Sequence, residues 1–295
     1  MGKLDELLAK DDIFLPGHRA CPGCGFALNM RHVAGLLGAD TIWIIPAGCP
    51  TICAGRWPNS AYRTPVELEL FASAAAYASG VKAGLRVLGR SDTQVAVWAG
   101  DGSTCDIGFA AFSAAAERNE DILYFLNDNQ AYMNTGNQRS GATPYGAWTT
   151  TTPQGSGINK KDIARIVAAH NIPYLATLAM TPPTVTDFAQ KVNRAAEQKG
   201  FRFLHVLSSC PPGWKFPTGL TVKITRLAVE SRVFPLFECE NGKWRITYRP
   251  RKVVPVAEYL KLQGRFARFT EQEIEMFQQS VNSRWEELER LQSSS

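Results

Sequence analysis

One stretch constrains this chain more than any other: Thr93–Gly136, TQVAVWAGDGSTCDIGFAAFSAAAERNEDILYFLNDNQAYMNTG. It reads as an apolar strand (Val95–Ala99), a Gly-Asp-Gly turn, a helix, a second apolar strand (Ile122–Leu126) and an Asn-Asp-Asn turn. Two strands joined through a helix pair in parallel. Both turns therefore fall at strand C-termini, the edge where an open parallel sheet forms its ligand crevice.

The residues in the two turns suit a metal-bound diphosphate. Gly100 permits a sharp bend, and Asp101 supplies one carboxylate. Gly102 lets backbone N–H groups come close to phosphate oxygens. Ser103 and Thr104 open the following helix, whose N-terminus favours an anion. Mg²⁺ takes oxygen ligands in an octahedron and one or two carboxylates at most. Asn127-Asp128-Asn129 brings a neutral amide oxygen to the same edge. Gly-Asp-Gly alone is common in turns, so two ordinary polar loops are the competing reading. The pairing of both turns across one βαβ unit weighs against it.

Before and after this unit the pattern repeats. Phe26–Leu37 has helical spacing and is closed by Gly38. Thr41–Ala47 reads as a buried strand, Cys53–Pro65 as a loop and Val66–Leu88 as an Ala-rich helix. Asn137–Ser156 is a long polar loop, of the kind that carries function in a compact domain. Helices are expected at Lys161–His170 and Val185–Lys199, and strands at Tyr174–Leu178 and Phe201–Leu207. The alternation predicts an α/β fold: an open, mostly parallel sheet with helices on both faces. Residues 1–214 form the expected main domain. From 215 to 295 the character changes, with a hairpin at FECENGKWRITYRP, an amphipathic helix at Thr270–Leu291 and a disordered QSSS tail. This part reads as a C-terminal extension that packs on the core or on a partner. An amphipathic helix or arm is expected at Leu4–Lys10.

Charge and hydropathy narrow the function classes. There are 32 basic and 27 acidic residues, a formal charge of +5 without a basic block. That argues against nucleic-acid binding and is compatible with an acidic protein partner. The apolar runs are strand-length, well short of the roughly 20 residues a spanning helix needs. The acidic, amphipathic start is not a signal peptide, so a cytoplasmic location is expected. Seven cysteines in a reducing compartment point to metal or redox chemistry rather than disulfides.

Cys21 and Cys24 form a Cys-x-x-Cys in the loop Cys-Pro-Gly-Cys-Gly. Cys49 and Cys210 each follow an apolar strand and precede a proline. Four thiolates suit a [4Fe-4S] cluster or a structural zinc, and the residues alone leave both open. Cys53, Cys105 and Cys239 read as packed thiols, with Cys53 the natural substitute within the set. His18 flanks the cysteine loop; His32, His170 and His205 are scattered. Arg19, Arg56, Arg63 and Arg139 are candidate anion contacts.

GDGS followed, beyond a helix and a strand, by NDN resembles the thiamine diphosphate motif. With CPGCG, GCP, NDNQAYMNTGNQRSGATP, SSCPPGW and PVAEYLKLQGRFARF, nearly the whole chain resembles the β subunit of pyruvate-type 2-oxoacid:ferredoxin oxidoreductases. The resemblance implies thiamine diphosphate cradled by Gly100, Asp101, Gly102 and Ser103. Mg²⁺ would be held by Asp101, Asn129 and the carbonyl of Ala131, with Asn134 directed toward the thiazolium and substrate. It also implies a [4Fe-4S] cluster on Cys21, Cys24, Cys49 and Cys210, with Cys49 bordering the cofactor. The implied reaction is oxidative decarboxylation of a small 2-oxoacid or oxalate, with electrons leaving through the cluster to ferredoxin. Phe26 and Pro50-Thr51 depart from the pyruvate pattern, so pyruvate and oxalate stand level as expected substrates.

The carboxylate that activates the aminopyrimidine in thiamine enzymes has no match here, nor do ferredoxin-like cluster motifs. An α-type subunit and a ferredoxin-like subunit are therefore expected partners, and the chain alone is expected to be inactive. A cluster-free thiamine decarboxylase or synthase subunit and a zinc-bearing scaffold are the alternatives.

Overall fold

A computed structural model of the chain describes residues 12–294. The arm expected at Leu4–Lys10 lies outside them. The strands are β1 (Thr41–Pro46), β2 (Val66–Glu69), β3 (Gln94–Gly100), β4 (Leu123–Asp128), β5 (Tyr174–Leu178), β6 (Arg202–Leu207), β7 (Leu236–Glu240) and β8 (Lys243–Tyr248). They form one sheet in the order β2-β1-β3-β4-β6-β5-β7-β8. β2 through β5 in that order run parallel; β7 pairs antiparallel with β5, and β8 antiparallel with β7.

Helices cover both faces, as the alternation predicts. On one face lie α1 (Gly25–Leu37) and α6 (Val185–Glu197), burying Val33 and Phe188 against Trp43, Trp98 and Phe125. On the other lie α3 (Ala74–Val87), α4 (Phe109–Glu117) and α5 (Ile163–Ala168), burying Ala78, Phe112 and Val167 against Val97 and Tyr124. The short helix α2 (Cys49–Ala54) starts directly beyond β1, and α7 (Pro211–Trp214) beyond β6. A third apolar cluster joins Trp214 to α8 (Thr221–Glu230) and α9 (Val256–Leu260).

Two sequence expectations are corrected. Val66–Leu88 is not one helix: Val66–Glu69 is an edge strand, and the helix begins only at Ala74. The V-E-L-E alternation has the period of a strand, and Val66 and Leu68 both pack on the sheet core. The QSSS tail is not disordered as far as Ser294: α10 runs Glu271–Ser294. Ser293 and Ser294 donate to the carbonyls of Glu289 and Arg290 at 2.8 and 3.0 Å. Gln292 accepts the Ile246 N–H at 2.8 Å, which pins the last turn to β8. The hairpin turn is as read, with Asn241 and Gly242 at φ 50 and 82, the left-handed pair that a tight hairpin needs.

The lower edge of the sheet is held by a buried ion cluster. Asp121 sits between Arg202, on its Oδ1, and Lys82, 3.1 Å from its Oδ2. The Arg202 and Lys82 side chains are only 1% and 3% exposed. Burial pushes the Asp121 carboxyl up, but the two cations outweigh it and hold it below the usual range. Its contribution to stability is therefore complete above about pH 4 and is lost as pH falls through the depressed folded value. Asp121→Asn leaves two buried cations without their carboxylate. Denaturant unfolding at neutral pH should show a loss of about 3–5 kcal/mol, and an unchanged midpoint would contradict this account.

Candidate functional site

The sheet order places four strand ends side by side, β1, β3, β4 and β6. Each ends in a residue singled out by sequence: Cys49 after β1, Asp101 after β3, Asn129 after β4 and Cys210 after β6. The chain steps outward from β1 to β2 and returns on the other side of β1 to β3. The β1/β3 gap is thus the switch point where such sheets bind ligands.

A cavity of about 210 Å³ opens there, lined by Gly48, Cys49, Gly100, Asp101, Gly102 and Asn129, among others. Ala131, Tyr132, Met133 and Asn134 close it from the β4 side, and Phe71 from the β2 side. Gly102 is required by sterics: a Cβ there would stand 2.1 Å from the Tyr132 ring. Tyr132 is held in place by its hydroxyl, which donates to Asp106 at 2.9 Å. Ser103 is placed differently from the rest. It is buried, and its hydroxyl donates to the Phe71 carbonyl at 2.6 Å, so its side chain is turned to the protein. Beyond it, Ser103–Ile107 forms a π-helical turn rather than a plain helix start.

Asp101 is 2% exposed. Burial, and then the nearby Asp128, push its carboxyl well above the usual range, against a hydrogen bond donated by Ser140. Two further oxygens lie near its Oδ1. The Asn129 side-chain oxygen stands 2.8 Å from the Ala131 carbonyl and 3.0 Å from Asp101 Oδ1, with no donor between them. Turning the amide over would place its nitrogen there as a donor to both. The oxygen-inward orientation is the one that a cation needs. Neighbouring ligands of a Mg²⁺ octahedron with bonds of about 2.0–2.1 Å are roughly 2.9 Å apart, so with the amide oxygen inward these two separations suit that ion. Asp128 does not join it. Burial pushes Asp128 up, but hydrogen bonding to His205, at 2.7 Å, outweighs this, and Asp128 Oδ1 accepts the Gln130 N–H at 3.1 Å. Asn127 accepts from Ser208 at 2.5 Å. Both residues brace the turn.

A second cavity, about 80 Å³, adjoins the first. Cys21, Cys24, Cys49 and Cys210 all line it, with Arg19 at the rim. Cys49, Asn129 and Asn134 line both cavities. The cysteine loop is fitted tightly to the β6 end. A Cβ on Gly23 would lie 2.4 Å from the Thr218 carbonyl, and one on Gly25 2.8 Å from the Ser209 nitrogen. Gly25 N–H donates to Ser209 O at 3.1 Å, and Asn29 donates to Leu207 O and Ser208 Oγ at 3.0 and 2.9 Å. Trp214 Nε1 donates to Asn129 O at 2.7 Å, which ties the cysteine turn to the oxygen trio.

Burial, then the other thiols, push Cys49 up to about 12; burial chiefly does the same to Cys210. Cys24 is lowered to about 7, chiefly by hydrogen bonding with Cys53. Cys53 lines the same cavity, while Cys105 and Cys239 are packed in the core. Among the described residues, no three His, Cys, Asp or Glu side chains are already drawn into a metal-ligand cluster. The thiols instead surround a space. Four sulfurs placed around one cavity suit a cationic centre that takes thiolates.

The loop 137–156 proved partly buried, and its Ser140 is the residue that sequence reasoning passed over. It lies in the quoted NQRSG run, but nothing in a serine's identity signals a partner almost forty positions upstream. Of the four candidate arginines, Arg19 alone borders either cavity. His18 stacks on Phe14 with ring centroids 5.1 Å apart.

Residues 46–206 match the family described as thiamine pyrophosphate enzyme, C-terminal TPP binding domain. The ketoisovalerate oxidoreductase subunit VorB of Pyrococcus horikoshii is 45% identical, over 95% of this chain and 94% of that one. The pyruvate synthase subunit PorB of Methanocaldococcus jannaschii is 45% identical, over 93% and 96%. PorB of Pyrococcus furiosus is 40% identical, over 94% and 93%. The fold is shared with a solved 2-oxoglutarate:ferredoxin oxidoreductase from Magnetococcus marinus, at a TM-score of 0.54 and 22% identity over 74% of this chain and 78% of that one. No helix among the described residues is long and apolar enough to cross a membrane. Near-complete coverage by such relatives, on a sheet whose edge carries the expected turns, shows that the chain belongs to the β-subunit family of the 2-oxoacid:ferredoxin oxidoreductases.

Proposed function

We propose that the chain binds thiamine diphosphate with Mg²⁺ and a [4Fe-4S] cluster in adjoining cavities, and oxidatively decarboxylates a small 2-oxoacid. The observation that carries this reading is the shared wall: Cys49, Asn129 and Asn134 border both cavities at once. Asp101, Asn129 and the Ala131 carbonyl would hold the metal, and the Gly100–Gly102 turn the diphosphate. Cys21, Cys24, Cys49 and Cys210 would hold the cluster.

When bound, thiamine diphosphate supplies the nucleophilic carbon and the electron sink, and an iron–sulfur cluster accepts electrons singly. The chain's own residues bind, orient and exclude water. Ser140 holds the Asp101 carboxylate in one rotamer by donating to it. Phe71, Met133 and Pro50 give the cofactor cavity an apolar lining, which strengthens every polar contact inside it. Asn134 is exposed on the rim of both cavities, where its amide can donate to a substrate carboxylate and stabilise developing charge.

The relatives are named for pyruvate and ketoisovalerate, which favours a 2-oxoacid with a short or branched side chain. They are also named as subunits, which supports an α-type partner to complete the thiamine pocket and a ferredoxin-like partner to carry electrons on to ferredoxin. The segment 215–294 supplies surface for such partners. Oxalate remains in the substrate panel because of Phe26 and Pro50-Thr51.

Anaerobic isolation with native partners should yield a brown complex. It should reduce viologen or ferredoxin with pyruvate or ketoisovalerate, while this chain alone reduces neither. Zinc without iron, or activity from the isolated chain, would sink the proposal. Ser140→Ala should weaken Mg²⁺-dependent thiamine diphosphate binding by about 10–100-fold, the usual cost of losing a ligand's hydrogen-bond partner; Asp101→Asn should weaken it further. Titration by cofactor fluorescence quenching reads both. Single Cys→Ser changes at 21, 24, 49 and 210 should each lower bound iron and the absorbance near ~400 nm expected of an iron–sulfur thiolate chromophore, whereas Cys239→Ser should leave both unchanged.

A further inference from the structure

The residue between Asn129 and Ala131 lines a different cavity. Gln130 borders a hollow of about 680 Å³ between the 159–162 segment and α10. Its size falls in the range of roughly 300–1,000 Å³ typical of small-molecule sites. The wall carries five cations, Lys160, Lys161, Arg232, Arg284 and Arg290, against two carboxylates, Asp162 and Glu287. Lys161 is paired with Asp106 at 3.0 Å, and Arg284 with Asp162 at 3.6 Å. Glu287 is engaged by Arg165 from outside. Among the described residues, Lys160, Arg232 and Arg290 have no carboxylate within ion-pair distance.

Two of these three are half-buried. Arg232 stacks on Trp285 at 4.1 Å, and its Nε is buried without a hydrogen-bond partner. Around Lys160, Asp128 and Asp162 favour the cation, but burial foremost, and Arg284 and Arg265, outweigh them and lower it to about 8. Positive charge taken from water without a counter-charge is unfavourable, so a bound anion is the species that would relieve it. The wall also carries an apolar part, with Tyr145 and Met276 38% and 53% exposed beside Phe277, and uncharged polar groups in Asn159, Ser280 and Ser283.

We propose that this hollow binds a phosphate ester of nucleotide size. Its phosphates would lie against Lys160, Arg232 and Arg284, and its ring against Tyr145, Met276 and Phe277. Arginine matches phosphate with two parallel hydrogen bonds, and lysine adds a point charge. A hollow with unpaired nitrogen on its wall suits a compact polyanion better than an extended acidic peptide, which docks along a groove or sheet edge. No function assigned above uses these residues.

The test is calorimetric titration of the full chain in its native complex, saturated with Mg²⁺ and thiamine diphosphate so that the diphosphate cradle is filled. ADP and inorganic phosphate are the probes. ADP should bind more tightly than inorganic phosphate and weaken with added salt. Lys160→Met and Arg232→Met should each weaken ADP about tenfold or more, with iron content unchanged. Arg284→Gln, whose native side chain is 27% exposed, provides the same reading should a buried variant fail to fold. No binding of either probe, ADP affinity unchanged in the variants that fold, or displacement of ADP by a poly-glutamate peptide at lower concentration would overturn the proposal.

Discussion

A carboxylate buried beside another carboxylate is the constraint around which the site is arranged. Asp101 lies at the end of β3, nearly sealed from water, with Asp128 adding to the cost of its charge. Ser140 alone among the described side chains donates a hydrogen bond to it. The Asn129 amide stands between it and the Ala131 carbonyl, and with its oxygen inward would present an oxygen rather than a donor to a cation there. Such an arrangement is poor for an isolated chain and good for one that holds a cation. Its supports follow from that. His205 hydrogen-bonds Asp128 and so keeps it turned away from the oxygen set, and Trp214 fixes the Asn129 carbonyl from the cysteine side.

Sheet topology makes the two cavities neighbours. Parallel strands end on a common edge, so four adjacent strands present four loops side by side. Cys49 and Cys210 flank the pair of oxygen-bearing turns, and the Cys21–Cys24 loop reaches the same edge from the start of α1. Glycines set the final distances. Gly25 allows backbone contact with the β6 end, and Gly23 with Thr218, that any larger residue would block.

Much of this was legible in the sequence, because strand–turn–helix periodicity and loop chemistry are local. The two turns, the cysteine loop, the hairpin and five of the eight strands follow from short windows read one at a time. What was not legible depended on distant packing. β2 was hidden in an Ala-rich run, since four residues with a strand period are overwhelmed by the long helix beside them. The tail's helix depends on Gln292 meeting β8. Ser140 and Tyr132 acquire their roles only when a long loop folds back on β3 and its π-turn. The Ser103 hydroxyl is bonded to a backbone carbonyl from the β2 side, a long-range contact that its place in the GDGS turn does not signal.

The fit of the Cys21–Cys24 loop against Ser209 and Thr218 has a consequence for biogenesis. The thiols that surround the smaller cavity come from opposite ends of the α/β core, and β6 is inserted between β4 and β5 only after β5 has been made. The strands β1, β3 and β4 and the Asp101 and Asn129 turns precede Cys210 in the chain, whereas the braces His205, Ser208 and Trp214 arrive with it. The four-sulfur space therefore requires that β6 has been placed between β4 and β5.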